Sequence, residues 1–193
     1  MTLVAFPVKP VAPKSEPTRY IGLAETNKIL RAHLKRAFPG TKFTVRGSSY
    51  SGGSSTDIAW TDGPTLAQVE AVTSAYSSRG FDGMIDMSYS KTSWLLPSGE
   101  IVTGYSGGTE GSAGSVEGYV IPKPHPHAEA VHSGIGYVHC RRTESAAFVE
   151  TVRAAIARLS GHDLCALLNR APRWPEHDEA ARVAKIIPAT RAA

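Results

Sequence analysis

Cysteine is scarce in this chain, with two in 193 residues, Cys140 and Cys165. A disulfide framework at this length would need more, so reduced thiols in a reducing compartment are expected. Long hydrophobic runs are missing too. No stretch approaches the roughly 18 apolar residues that span a bilayer. The short apolar stretch Leu3–Val8 carries Pro7 and is followed by Pro10, Pro13 and Pro17, which does not suit a secretory leader. These absences predict a soluble, cytoplasmic protein without a membrane partner. Acidic residues are absent from Thr26 through Thr56, although the chain as a whole carries a formal charge of only +4. Core-forming material is present: 41% of residues are hydrophobic and 20% charged, which excludes wholesale disorder.

The pattern along the chain predicts an extended Pro-rich arm over 1–19, an α+β domain over 20–160 and a helical C-terminal extension over 161–193. Leu23, Leu30, Leu34, Ala37 and Phe38 recur at helical spacing, and Pro39-Gly40 ends that helix. From Lys42 to Ser48 the chain alternates, with Phe43 and Val45 on one face. Thr56–Thr61 reads as a second strand with Ile58 and Trp60 inward, joined to the first by a loop longer than a tight turn. Thr65 and Gln68 have capping-box spacing ahead of a helix whose inner face is Leu66, Val69, Val72 and Tyr76. Phe81–Tyr89 reads as a third strand, and Trp94–Thr103 as a hairpin broken at Pro97-Ser98-Gly99. Residues 104–118 include six glycines and three serines, the composition of a flexible loop. Gly136–Arg142 reads as a strand and Glu144–Leu159 as an amphipathic helix. His162–Asn169 and Glu176–Ile187 suit further helices. The simplest architecture is α+β: helices packed on one face of a small, mainly antiparallel sheet.

Several groups of residues invite a chemical reading. Lys28, Arg31, Lys35, Arg36, Lys42 and Arg46 all lie in the acid-free stretch, and Lys28, Arg31 and Lys35 share one helical face. They suit phosphates or an acidic protein surface, and equally a plain solvated face. Asp82 and Asp86 would share a strand face if the strand were regular, which suits a divalent ion or acid–base work; Asp before Gly is also ordinary turn chemistry. His125, His127, His132, His139, His162 and His177 accompany the two cysteines, but their spacing is irregular for zinc. Tyr50-Ser51-Gly52-Gly53-Ser54 is echoed by Tyr105-Ser106-Gly107-Gly108-Thr109. Neither copy continues into the Gly-Lys-Ser/Thr of a phosphate loop. Trp60, Trp94 and Trp174 suit stacking or an interface, with Trp60 better read as core. No catalytic set, metal site or cofactor is assigned.

Four motifs, taken together, resemble one family. They are Phe38-Pro39-Gly40-Thr41-Lys42-Phe43-Thr44-Val45, Ser51-Gly52-Gly53, Trp60-Thr61-Asp62-Gly63-Pro64 and Phe81-Asp82-Gly83-Met84-Ile85-Asp86. The run Tyr137-Val138-His139-Cys140-Arg141-Arg142 looks like the same family's closing strand. The family is that of the large polyvalent protein-associated domains, carried by phages and conjugative elements, often inside very long proteins that enter a host with the DNA. The resemblance covers about Tyr20 to Arg142. It implies a mobile-element origin and a role against host defence, and it brings no catalytic residues. A chain this short favours a small independent inhibitor. The leading expectation is therefore a non-enzymatic binding protein that occupies a host protein or nucleoprotein complex, such as a CRISPR or restriction system. A direct DNA- or RNA-binding domain using the six cations is the second reading. An enzyme using Asp82 and Asp86 or the His/Cys set is the third.

Overall fold

The computed structural model describes residues 17–109, 114–158 and 179–189. Among the described residues, ten strands and four helices follow one another: β1 (Arg19–Ile21), α1 (Leu23–Ala37), β2 (Thr44–Tyr50), β3 (Gly53–Thr61), α2 (Leu66–Thr73), β4 (Arg79–Asp82), β5 (Met87–Ser90), β6 (Thr92–Leu95), β7 (Ile101–Ser106), β8 (Tyr119–Val120), β9 (Glu129–Ser133), β10 (Tyr137–Thr143), α3 (Ala146–Ile156) and α4 (Glu179–Ile186). A 3-10 turn, Ser74–Tyr76, extends α2. The class is α+β. The strands form a five-stranded sheet in the order β1-β9-β6-β7-β8, a three-stranded sheet β10-β3-β2 and the pair β4-β5. The β6, β7, β8 and β9 pairings are antiparallel, and β1 joins β9 in parallel.

The chain divides into two compact units. The first comprises Met1–His33, Arg46–Thr56 and Thr73–His139, and the second the remaining segments, Leu34–Val45, Asp57–Val72 and Cys140–Ala193. The first unit buries Ile21, Leu30, Tyr76, Trp94, Ile101, Val131 and Ile135. Tyr76 is wholly buried, and its hydroxyl is satisfied by His33 Nδ1 at 2.9 Å and the Ile101 amide at 3.4 Å. Gly134 allows the start of α1 to come close, since a Cβ there would meet Leu23 N and Ile21 O within 2.6 Å. The second unit buries Leu34, Val45, Ile58, Trp60 and Val69. It also packs α3 against α4 through Val152, Val183 and Ala184.

Local sequence chemistry accounts for much of this. Gly40 stops α1 in the left-handed region at φ 91°. The Thr65–Gln68 capping box forms as expected: the Thr65 amide donates to Gln68 Oε1 at 2.9 Å and the Gln68 amide to Thr65 Oγ1 at 3.3 Å. Ser145 caps α3 by accepting from the Phe148 amide. Four expectations need correction. The link from β2 to β3 is the two-residue turn Ser51-Gly52, with Gly52 at φ 86°, rather than a longer loop. Leu66 is 38% exposed because it opens α2, where a side chain leans back over the preceding loop. Phe81–Tyr89 is a hairpin, β4 and β5, because Asp82 starts a turn and Asp86 adopts φ 53°. Gly104–Ser106 belongs to β7 and is not loop; residues 110–113 of that stretch lie outside the described residues. So do His162–Asn169 and the first three residues of the helix expected over Glu176–Ile187.

Candidate functional site

The six cations are all exposed. Lys28 and Arg31 lie on the middle turns of α1, and Lys35 and Arg36 on its last turn. Lys42 precedes β2, and Arg46 lies within it. Lys28, Lys35, Lys42 and Arg46 form no ion pair with any described residue. Lys35 and Arg36 have a local reason to be basic, because cations stabilise a helix C-terminus by about 0.3–1 kcal/mol. Lys28 has none. It is the residue whose charge most needs an explanation from outside the helix.

In the second unit a groove of about 910 Å³ is lined by Gly40, Thr41, Lys42, Trp60, Asp62 and Phe148, among others. Two of the sequence motifs thus meet in one groove. Asp62 has a structural task there: its Oδ1 accepts from the Ser145 amide at 2.8 Å, and its backbone is left-handed at φ 56°. Arg142, which sequence reasoning passed over as the end of a strand, holds the same corner. It donates to the carbonyls of Asp62, Gly63, Ala184 and Lys185 at 2.9–3.3 Å, and its side chain is 3% exposed. Burial pulls its pKa below the ordinary arginine value, opposed by Glu144 and Asp62.

The Asp82–Asp86 pair is not brought together as a site. Asp82 is 2% exposed and works as a clamp. Its carboxylate accepts from the Thr109 hydroxyl, from the Val116 amide at 2.9 Å and from the Met84 amide at 2.9 Å. The Thr109 bond is the largest cause of its lowered pKa, followed by the Val116 bond, with burial acting the other way. The folded pKa is therefore depressed. Its stabilising contribution is present above the unfolded value and is lost as pH falls below about 4. Amide-exchange protection at Met84 and Val116 should drop through that range. Asp82→Asn, which replaces one acceptor with a donor, should lower protection at neutral pH and abolish the acid step.

The histidines are dispersed. His125 and His127 are exposed with rings 5.5 Å apart, His132 stacks on Tyr20 at 6.1 Å, and His139 is exposed on β10. His162, Cys165, Trp174 and His177 lie outside the described residues. Among the described residues no three His, Cys, Asp or Glu side chains gather in a way that could hold a metal ion. The two Tyr-Ser-Gly-Gly echoes are turns: Gly52 and Gly108 both take positive φ, and Ser106 Oγ accepts from the Gly108 amide. Trp60 is core, 3% exposed, with its indole N–H on the Pro64 carbonyl at 3.0 Å.

The family model described as "Large polyvalent protein associated domain 29" matches residues 21–145. The chain belongs to that family. This polyvalent protein-associated domain therefore runs from the end of β1 to the cap of α3, and both motif walls of the groove lie within it. No curated protein and no solved structure matches the chain. As a member of the family it is a phage- or mobile-element-associated domain. No helix among the described residues is long and apolar enough to cross a membrane.

Proposed function

We propose that this domain is a non-enzymatic binding module of a phage or mobile element, which uses the exposed cations of its acid-free stretch to occupy a host protein or nucleoprotein complex of the defence machinery. The observation that carries the reading is a set of exposed cations, Lys28 and Lys35 on α1, Lys42 before β2 and Arg46 within it, without carboxylate partners among the described residues. Such cations in an acid-free stretch create a local positive field. That field speeds encounter with a negative partner and suppresses binding to positive ones. Two carboxylates serve the framework through backbone amides: Asp62 with Ser145, and Asp82 with Val116 and Met84.

The test is capture from a host lysate, with and without nuclease, using the full chain and Lys28→Glu/Lys42→Glu. Neither lysine serves the C-terminus of α1, so the fold should tolerate both changes. Partner capture should fall about tenfold, mainly through the association rate. Capture that survives nuclease identifies a protein target. Loss on nuclease treatment, together with a salt slope near −0.9 per neutralised phosphate, identifies duplex DNA. Unchanged capture by the double variant would remove these cations from consideration.

A further inference from the structure

We propose that Lys91 and the hydroxyl groups around it form a binding site for a small oxyanion, foremost a phosphate or phosphate monoester. Lys91 is the single residue between β5 and β6. It opens onto a cavity of about 290 Å³ in the first unit, lined by Ser74, Tyr89, Thr103 and Tyr119 and by Ser77 and Ser93. No carboxylate lines that cavity, and the Lys91 ammonium pairs with no described residue. A half-buried cation without a counter-ion is costly, and an incoming anion supplies the missing charge.

The hydroxyls fall into two groups. Ser93 donates to the Ala75 carbonyl at 2.7 Å, and Ser77 lies 2.7 Å from the Arg79 and Gly136 carbonyls, so their protons are spent on the framework. The hydroxyls of Ser74, Thr103, Tyr89 and Tyr119 bond to no described residue and are left as donors. Several free hydroxyl donors and one ammonium lining a single cavity match a tetrahedral oxyanion better than a planar carboxylate, since its four oxygens can each accept more than one bond. The cavity lies at the lower limit of small-molecule sites, about 300 Å³, which suits a phosphate with at most a modest substituent.

The frame is fixed before any ligand arrives. The Lys91 amide donates to the Ser78 carbonyl at 2.8 Å, anchoring the link. Gly80 lets the Tyr89 ring lie over the backbone, because a Cβ there would meet the ring within 2.6 Å. Gly104 does the same for the approach of β7 to the Thr92 carbonyl. Burial lowers the Lys91 pKa and, as the largest cause, raises that of Tyr119. Both shifts have shielding from water as their first cause, and the neighbouring Tyr89 adds to that of Tyr119.

Thermal melting of the full chain tests this in inorganic phosphate, in 5′-AMP and in sodium chloride of equal ionic strength. The wild type should melt higher in phosphate, following the linkage of binding to folding. Lys91→Met should lose that shift while melting no lower than wild type in chloride. Thr103→Val and Tyr119→Phe should each weaken the apparent affinity severalfold and leave the chloride melt unchanged; they decide the matter if Lys91→Met does not fold. A stronger response to 5′-AMP than to phosphate assigns the site to a nucleotide, and the reverse assigns it to the free ion. A wild-type melt identical in all three salts would overturn the proposal. So would a phosphate shift that persists undiminished in Lys91→Met, or in both hydroxyl variants.

Discussion

Arg142→Ala should destabilise the second unit by about 3–5 kcal/mol, the range for removing one partner from a buried charged network. The guanidinium fills two needs at once. At one end it meets the Ala184 and Lys185 carbonyls in the last turn of α4, which have no partner within the helix. At the other it meets the Asp62 and Gly63 carbonyls, in a turn where both residues have positive φ. The turn is pinned further by the Asp62 amide on the Thr143 carbonyl at 2.8 Å and the Ala189 amide on the Gly63 carbonyl at 2.8 Å. Phe148 lies against the guanidinium face, 5.5 Å from ring centroid to Cζ. Alanine would strand the Asp62, Ala184 and Lys185 carbonyls, leave Gly63 with the Ala189 amide alone, and leave Phe148 without its cover. Lysine keeps the charge but not the planar fork, so Arg142→Lys should recover less than half of the loss. Denaturant unfolding measures the difference, and amide exchange should show α4 loosening first. A cost below about 1 kcal/mol would place Arg142 with ordinary surface cations.

The contrast between Arg142 and the α1 face shows how far the sequence could be read. Leu30 and Leu34 were legible because helical spacing is a local signal, and both are buried. The Thr65–Gln68 box was legible for the same reason: both partners lie within one turn. Arg142 gave no such signal, since its acceptors are about 80 and 42 residues away and are backbone atoms that carry no side-chain identity. β1 and β9 went unread for a related reason. Three residues cannot display a period, and Arg19–Ile21 becomes a strand only through parallel pairing with Val131–Ser133. Glu129–Ser133 was obscured by neighbouring prolines and histidines that drew a metal reading. The Asp82 turn is legible in Asp82-Gly83, which is turn chemistry, but the apolar residues on either side also suit one continuous strand, and only the pairing of β4 with β5 decides between the two. Lys91 left a faint trace, one lysine in the hydroxyl-rich run Ser88-Tyr89-Ser90-Lys91-Thr92-Ser93. The closing of a cavity over it depends on Ser74, Thr103 and Tyr119, which no local pattern connects.

Trp94→Ala should cost the first unit about 3–5 kcal/mol, the usual range for truncating a buried aromatic side chain. Trp94 is 2% exposed and sits on β6, the central strand of the five-stranded sheet. Its cross-strand neighbours are Val102 on β7 and Ala130 on β9. Ala128 and Ala130 are small where the indole is large, so the ring fills space that those residues leave. Tyr105 covers one side, tilted 59° with centroids 6.3 Å apart, and Lys123 Nζ stands 5.9 Å from the ring centroid. Alanines on the neighbouring positions cannot collapse into the void, which puts the cost toward the upper end of the range. The indole N–H donates to the Ile121 carbonyl at 3.1 Å. Trp94→Phe keeps most of the ring but strands that carbonyl, and should cost about 1–2 kcal/mol. The gap between the two variants in denaturant unfolding separates ring burial from the hydrogen bond. Equal costs would mean that the carbonyl, and with it the hold on the segment after β8, dominates; a Trp94→Phe variant as stable as wild type would mean that burial alone matters. Lys91 sits three residues before Trp94 on the same run of chain. The strand that the indole anchors therefore also holds the ammonium at its cavity, and Trp94→Ala should weaken the phosphate response while protein remains folded.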